Sequence, residues 1–189
     1  MNPLISVPSG DTILIERDDG TQLRCISTGE GPTVVLAHGV FNDLRCFNLV
    51  TVKLIEKGCR VILFDQRGHG ASTLGANGFD SRQMAVDCQV VLEHFAVVGG
   101  VLAGHSMGAF LAVILAQYSP AVIRQHLQGL LLISGHAGSV AKGSIQNQLQ
   151  IPLIKLGLLS AILSSKKLGR AFVRSLFGKV APKEHVEAM

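Results

Sequence analysis

Four short apolar runs, Pro32–Ala37, Arg60–Phe64, Val97–Ala103 and Gly129–Ile133, recur along the chain at intervals wide enough to hold a helix. Each run is continuous, not alternating, as a strand covered on both faces must be. The segments between them carry helical spacing. Over 43–57, Leu44, Phe47, Val50 and Leu54 fall three and four apart, and Gly58 stands where a C-cap glycine belongs. Asp80 or Ser81 can cap a helix running to about Phe95, and Ala109–Tyr118 is a helix of small and apolar residues ended by Ser119-Pro120. Strands alternating with helices require an α/β fold: a doubly wound, mostly parallel sheet with helices on both faces. Only the opening departs from that rhythm. Residues 12–16 and 21–27 read as two antiparallel strands turned at Asp18-Asp19-Gly20.

The rhythm stops near Ser134. Residues 136–189 read as helices with polar breaks, amphipathic near 147–163 and again near 166–178. Residues 1–135 are therefore expected to form the core and 136–189 a helical cap over the strand ends. No further strand pattern follows, so the last core strands are expected to be missing. The run Leu130–Ile133 would then be an apolar sheet edge, and poor solubility is expected of the chain alone.

Hydrophobic residues make up 48% of the 189 and charged residues 16%, which excludes a disordered chain. The lack of Trp and the single Tyr argue against base stacking, and no nucleic-acid partner is expected. The net charge of +4 is unevenly placed. Residues 1–150 hold ten basic against eleven acidic residues, and 151–189 hold seven against two. A basic segment of this kind serves a solvated helix face, or else an anionic membrane surface or nucleic acid. Around 150–180, Leu153, Ile154, Leu156, Leu158, Leu159, Ile162 and Leu163 lie beside Lys155, Lys166 and Lys167, so peripheral membrane contact is a minor expectation beside lining an acyl pocket. Cys25, Cys46, Cys59 and Cys88 lack metal-ligand spacing. The start shows no secretory pattern and no charge-free run reaches spanning length, so a cytoplasmic location is expected.

The chemistry concentrates at Gly104-His105-Ser106-Met107-Gly108, between a strand and a helix. Glycines two residues either side of the serine clear space for a strained strand-to-helix turn that exposes the hydroxyl. The helix N-terminus beside it offers free N–H groups to an oxyanion. Ser106 is thus the candidate nucleophile and Met107 a candidate oxyanion donor. His38-Gly39-Val40-Phe41 follows a buried strand and can bring in a second N–H; Val40 is favoured, with Phe41 next. His38 is read as bracing this loop. The Gly-rich turn Asp65-Gln66-Arg67-Gly68-His69-Gly70-Ala71-Ser72 lacks the lysine and spacing of a phosphate loop and is read as structural, with Asp65 and Arg67 pairing locally or satisfying backbone groups.

These three elements, in this order over roughly residues 10–135, resemble the α/β-hydrolase superfamily, most closely its esterase, lipase and haloperoxidase-like members. The resemblance implies a Ser-His-acid mechanism through an acyl-enzyme, a helical cap, and no cofactor or metal. It implies a small-molecule ester or acyl substrate, and the apolar cap segment leans toward a hydrophobic one. Its triad order is serine, acid, histidine. After Ser106 the acids are Glu184 and Glu187, and the histidines are His126, His136 and His185. His136 follows the strand beside the elbow but has no acid to orient it, and the adjacent Glu184 and His185 diverge on a helix. The triad acid and histidine are therefore expected beyond Met189, leaving the chain as it stands inactive. The competing expectation is a non-catalytic relative that binds a ligand or partner.

Overall fold

The computed structural model describes residue 6, residues 8–135 and residues 165–176. The apolar runs become strands of one six-stranded sheet: β1 (Asp11–Glu16), β2 (Gln22–Thr28), β3 (Thr33–Ala37), β4 (Arg60–Phe64), β5 (Gly100–His105) and β6 (Leu127–Ile133), in the order β1-β2-β4-β3-β5-β6. β1 pairs antiparallel with β2 and β2 with β4; the pairs β3/β4, β3/β5 and β5/β6 are parallel.

The continuous runs are explained by where alternate side chains go. Ile62 and Phe64 of β4 join Val35, Ala37 and Leu102 in a cluster with Met84, Cys88, Val91, Leu111 and Leu115 from two helices. Val61 and Leu63 point the other way, with Leu36 and Ala103, against Leu44, Phe47, Leu54 and Ile55. Helices on both faces are α1 (Asn48–Glu56), entered through a 3₁₀ turn at Leu44–Phe47, then α2 (Ser81–His94), α3 (Met107–Tyr118) and the short α4 (Pro120–His126). Asp80 caps α2, its carboxylate accepting from the N–H groups of Arg82 and Gln83. Gly58, at φ +74°, donates its N–H to Ile55 and closes α1.

Several boundaries differ from the sequence reading, and three of them have a clear physical reason. Val97 is fully buried but precedes β5: its N–H closes α2 on Leu92, and Gly99 at φ +61° turns the chain into the strand. The apolar pattern there reported burial, not strand. α3 begins at Met107, two residues earlier than expected. Pro120 not only ends α3 but starts α4, a first-turn position where a missing N–H costs nothing.

The loop after β4 is held by buried charge. Asp65 accepts from the N–H groups of Leu44 (2.8 Å) and Ala71 (2.8 Å) and pairs with Arg24 at 2.7 Å. Arg67 has no exposed surface in its side chain. It grips Asp87 with two bonds, Nε at 2.6 Å and Nη2 at 2.9 Å, and its Nη1 reaches Asp19 (3.1 Å) and the Gly78 carbonyl (2.9 Å). Arg17 shares the Asp87 carboxylate at 3.0 Å. Of the two expectations for this turn, that its charges satisfy backbone groups holds, at Leu44, Ala71 and Gly78, whereas a local Asp65–Arg67 pair gives way to partners far away in sequence, because a guanidinium this deep needs carboxylates brought by other elements.

Residues Met1–Gly135 and His136–Met189 form two separate compact units. In the second, α5 (Lys166–Leu176) is described; the expected amphipathic stretch at 147–163 lies outside the described residues. Among the described residues, no single helix is long and apolar enough to cross a membrane.

Removing one partner of the buried network strands the others. Asp87→Ala should lose about 3–5 kcal/mol in urea unfolding, because Arg67 and Arg17 are left without their shared carboxylate. Glu56→Ala, which breaks an exposed pair with Lys53, should change stability by less than about 1 kcal/mol. Equal losses would show that the Asp87 network is not what holds the loop.

Candidate active site

The strand order reverses at β3: the chain leaves it for β4 on one side and returns to β5 on the other. Loops from β3 and β5 therefore diverge over a crevice at their C-terminal ends, the place where open α/β sheets hold ligands. Ala37 pairs with Gly104, so the residues that follow, His38-Gly39-Val40 and His105-Ser106-Met107, rise side by side.

Ser106 sits at φ +52°, ψ −109°, between β5 and α3. The glycines around it are required by contact. A Cβ on Gly104 would strike the backbone of Gly108, and one on Gly108 would strike the Ala37 carbonyl. The strained residue is tied down by its own backbone: its N–H donates to Ile133 (2.9 Å), and its carbonyl accepts from Ala109 and Phe110 (both 3.1 Å). Its hydroxyl makes no capping bond to α3.

The β3 loop packs directly on this turn. A Cβ on Gly39 would lie 3.2 Å from the Ser106 Cβ and 3.1 Å from His105 Nδ1. Met107 opens α3, where the first N–H groups have no acceptor within the helix. Val40 lies in the β3 loop and is 45% exposed, and Phe41 beside it takes φ +60°. Ser106 and Met107 are thus adjacent on one turn, and the loop that carries Val40 packs on that turn through Gly39.

His38 is fully buried and braces the loop from behind. Its Nε2 accepts the Gln66 N–H at 3.0 Å, which places the ring proton on Nδ1, 2.8 Å from the Gly39 carbonyl. The Gln66 side-chain amide donates to the His38 carbonyl as well. Both ring nitrogens are engaged, so His38 is not free to take a proton from Ser106. The role of Gln66 escaped the sequence reading, since nothing in its spacing marks it; its place after a buried strand is the only signal.

Other histidines divide clearly. His126 lies at the start of β6, where Leu127 pairs with Gly100, about 20 Å of strand away from the elbow, and its Nδ1 faces the Val97 carbonyl at 2.7 Å. His105 is half-buried beside Ser106. His136, Glu184, His185 and Glu187 lie outside the described residues. A tilted stack runs from His38 to His69 (5.4 Å between centroids) and on to Phe79 (5.6 Å), so apolar surface reaches the crevice from the β4 loop.

Residues 31–182 match the family model described as serine aminopeptidase, S33 (Hydrolase_4). Among curated proteins, the chain is similar to the sn-1-specific diacylglycerol lipase ABHD11 of Mus musculus, 34% identical over 95 residues, 50% of this chain and 31% of that protein. It is also similar to a non-heme haloperoxidase of Rhodococcus erythropolis, 31% identical over 94 residues, 50% of this chain and 34% of that protein. These alignments span about a third of the relatives' own length. Among solved structures, an esterase (EaEST) from Exiguobacterium antarcticum shares the fold with a TM-score of 0.76 at 24% identity, covering 92% of this chain and 64% of that one.

Burial pushes the His38 imidazole below its ordinary value of 6.5, against the opposing pull of its Gly39 bond and of Asp65 and Asp43; His69 adds to the lowering. Burial shifts His105 in the same direction. The unfolded chain then takes up protons that the folded one refuses. Stability should be full above pH of about 6.5 and decline as the pH falls below it. His38→Asn should lower stability at neutral pH yet flatten the slope between about pH 7 and pH 5 in urea unfolding. An unchanged slope would show that His38 does not set it.

Proposed function

The chain belongs to the α/β-hydrolase superfamily, through the family described as serine aminopeptidase, S33, and from that membership we propose that it acts as a serine hydrolase on a carboxylic ester or related acyl substrate. The observation that carries this reading is the backbone of Ser106, held at positive φ at the mouth of β5 with Gly39 against it. With no capping bond to α3, its hydroxyl is left available to an acyl carbon.

In this reading the Ser106 oxygen forms a bond to the acyl carbon as its proton passes to a base. The carbonyl oxygen gains the displaced electron pair and is met by the N–H groups of Met107 and Val40. Collapse of that intermediate expels the alcohol, which takes up the proton. Water then attacks the acyl-enzyme, releasing the acid and restoring the serine hydroxyl. His38, engaged at both nitrogens, and His126, at the far end of the sheet, do not serve as that base. Exposed Val40, Leu74 and Phe79, on the β3 and β4 loops, support a substrate with a hydrophobic group. The name of the diacylglycerol lipase relative points the same way.

A fluorophosphonate reagent, which phosphonylates activated serines, tests the assignment. In a version of the protein that carries the base, labelling is expected at Ser106 by peptide mass, and none in Ser106→Ala. Labelling that survives the substitution would remove Ser106 from the mechanism. A folded protein that resists the reagent altogether would favour a ligand-binding relative without turnover.

A further inference from the structure

The helix α2 packs on the sheet face that carries Ile15, Cys25 and Ile62, and it stops at His94. Side chains alternate along a strand, so Asp11 and Ile13 share the face of Ile15, Ser27 that of Cys25, and Arg60 that of Ile62. Past the end of the helix this last row is open. With Phe95 at the foot of α2, these residues line a cleft of about 480 Å³. Small-molecule sites span about 300–1,000 Å³, so the cleft is large enough to hold a ligand. It opens at the start of β4, whereas the Ser106 crevice lies off the C-terminal ends of the parallel strands, about 15 Å along the sheet.

The charges in this cleft are held in place and are not paired with each other. Arg60 donates through Nη1 to the Phe95 carbonyl (3.1 Å) and through Nε to the Ser27 hydroxyl (3.3 Å), its guanidinium 5.8 Å from the centre of the Phe95 ring. Both N–H groups of Nη2 are left over. Arg17, Arg24, Arg45 and Arg67 each grip a carboxylate; among the described residues Arg60 has none. Asp11 lines the same cleft, yet its strand is separated from β4 by β2, about 10 Å across, and Arg60 is tied to Ser27 part of the way. A lone anion would be opposed by Asp11 and a lone cation by Arg60. A molecule carrying both charges satisfies the two at once, and half-buried Ile13 offers an apolar contact between them. We propose that the cleft binds a free α-amino acid with an aliphatic side chain, its carboxylate on Arg60 and Ser27, its ammonium group toward Asp11 and its side chain against Ile13.

The proposal does not depend on the hydrolase reading, and titration calorimetry on the full chain tests it directly. L-Leucine should bind saturably, with a Kd in the millimolar range. L-Leucinamide, which lacks the carboxylate, should bind about tenfold more weakly. N-Acetyl-L-leucine, which lacks the ammonium group, should bind several-fold more weakly, since its partner is exposed. Arg60→Gln should weaken L-leucine about tenfold. Asp11→Asn should weaken it several-fold and abolish its advantage over the N-acetyl derivative, a change that a merely structural role would not produce. Asp11 is exposed, so that variant keeps the fold, and unchanged thermal unfolding checks both. No saturable binding of L-leucine, equal binding of the three compounds, or indifference to both substitutions would overturn the proposal. Binding lost in Ser106→Ala but kept in Arg60→Gln and Asp11→Asn would overturn it too, and place the amino acid in the Ser106 crevice.

Discussion

At Ser106 a non-glycine residue is held at φ +52°. A conformation of this kind costs about 1–3 kcal/mol and persists only where its surroundings leave no alternative. Here they come from three adjacent strands. β3 supplies the Ala37 carbonyl, against which Gly108 packs without room for a side chain. β5 supplies Gly104, pressed on the Gly108 backbone. β6 supplies the Ile133 carbonyl, which accepts the Ser106 N–H. The order β3-β5-β6 is therefore not a neutral scaffold beneath the serine. It is the arrangement that makes the serine's backbone possible and leaves its hydroxyl off the helix end.

The loops around the serine are fixed differently, by buried ions. Such pairs add little net stability, because desolvation offsets most of the attraction; what they impose is position. Asp65 holds the 3₁₀ turn before α1 and the loop after β4 to one carboxylate, and Arg67 draws the β1–β2 turn, the 78 carbonyl and α2 to one guanidinium. Gln66 stands between them. With both neighbours immobilised, its N–H and side-chain amide can brace His38 from behind, and His38 in turn fixes Gly39. The placement of the Val40 loop thus runs back, residue by residue, to charges that never touch the crevice.

That chain of support separates what the sequence disclosed from what it hid. β3 and β4 were legible because strands buried on both faces leave unbroken apolar runs. The elbow was legible because its glycines have fixed offsets from the serine. The resemblance to α/β-hydrolases rested on those same residues, and the family match and the fold bear it out. Hidden were the relations between distant residues. Nothing near Arg67 in the sequence names Asp87, twenty positions on, or Asp19, forty-eight back. The start of β5 was misplaced for a related reason: Val97 is as apolar and as buried as a strand residue, but it closes a helix. Hydrophobicity records burial and is silent about which hydrogen bonds the backbone makes.

The same geometry determines how closely the Ser106 turn is enclosed. The β3 flank of the crevice is occupied by the His38-Gly39 loop, which lies against the serine's own Cβ. Behind it the His38–His69–Phe79 stack fills the β4 side. The elbow's remaining neighbour is β6. There the chain turns at Ser134, φ +51°, and passes so near the first turn of α3 that a Cβ on Gly135 would stand 2.5 Å from that of Ala109. Ser106, Met107 and the Val40 loop are thus held by β3, β5, α3 and the end of β6 together, the last through the carbonyl of Ile133.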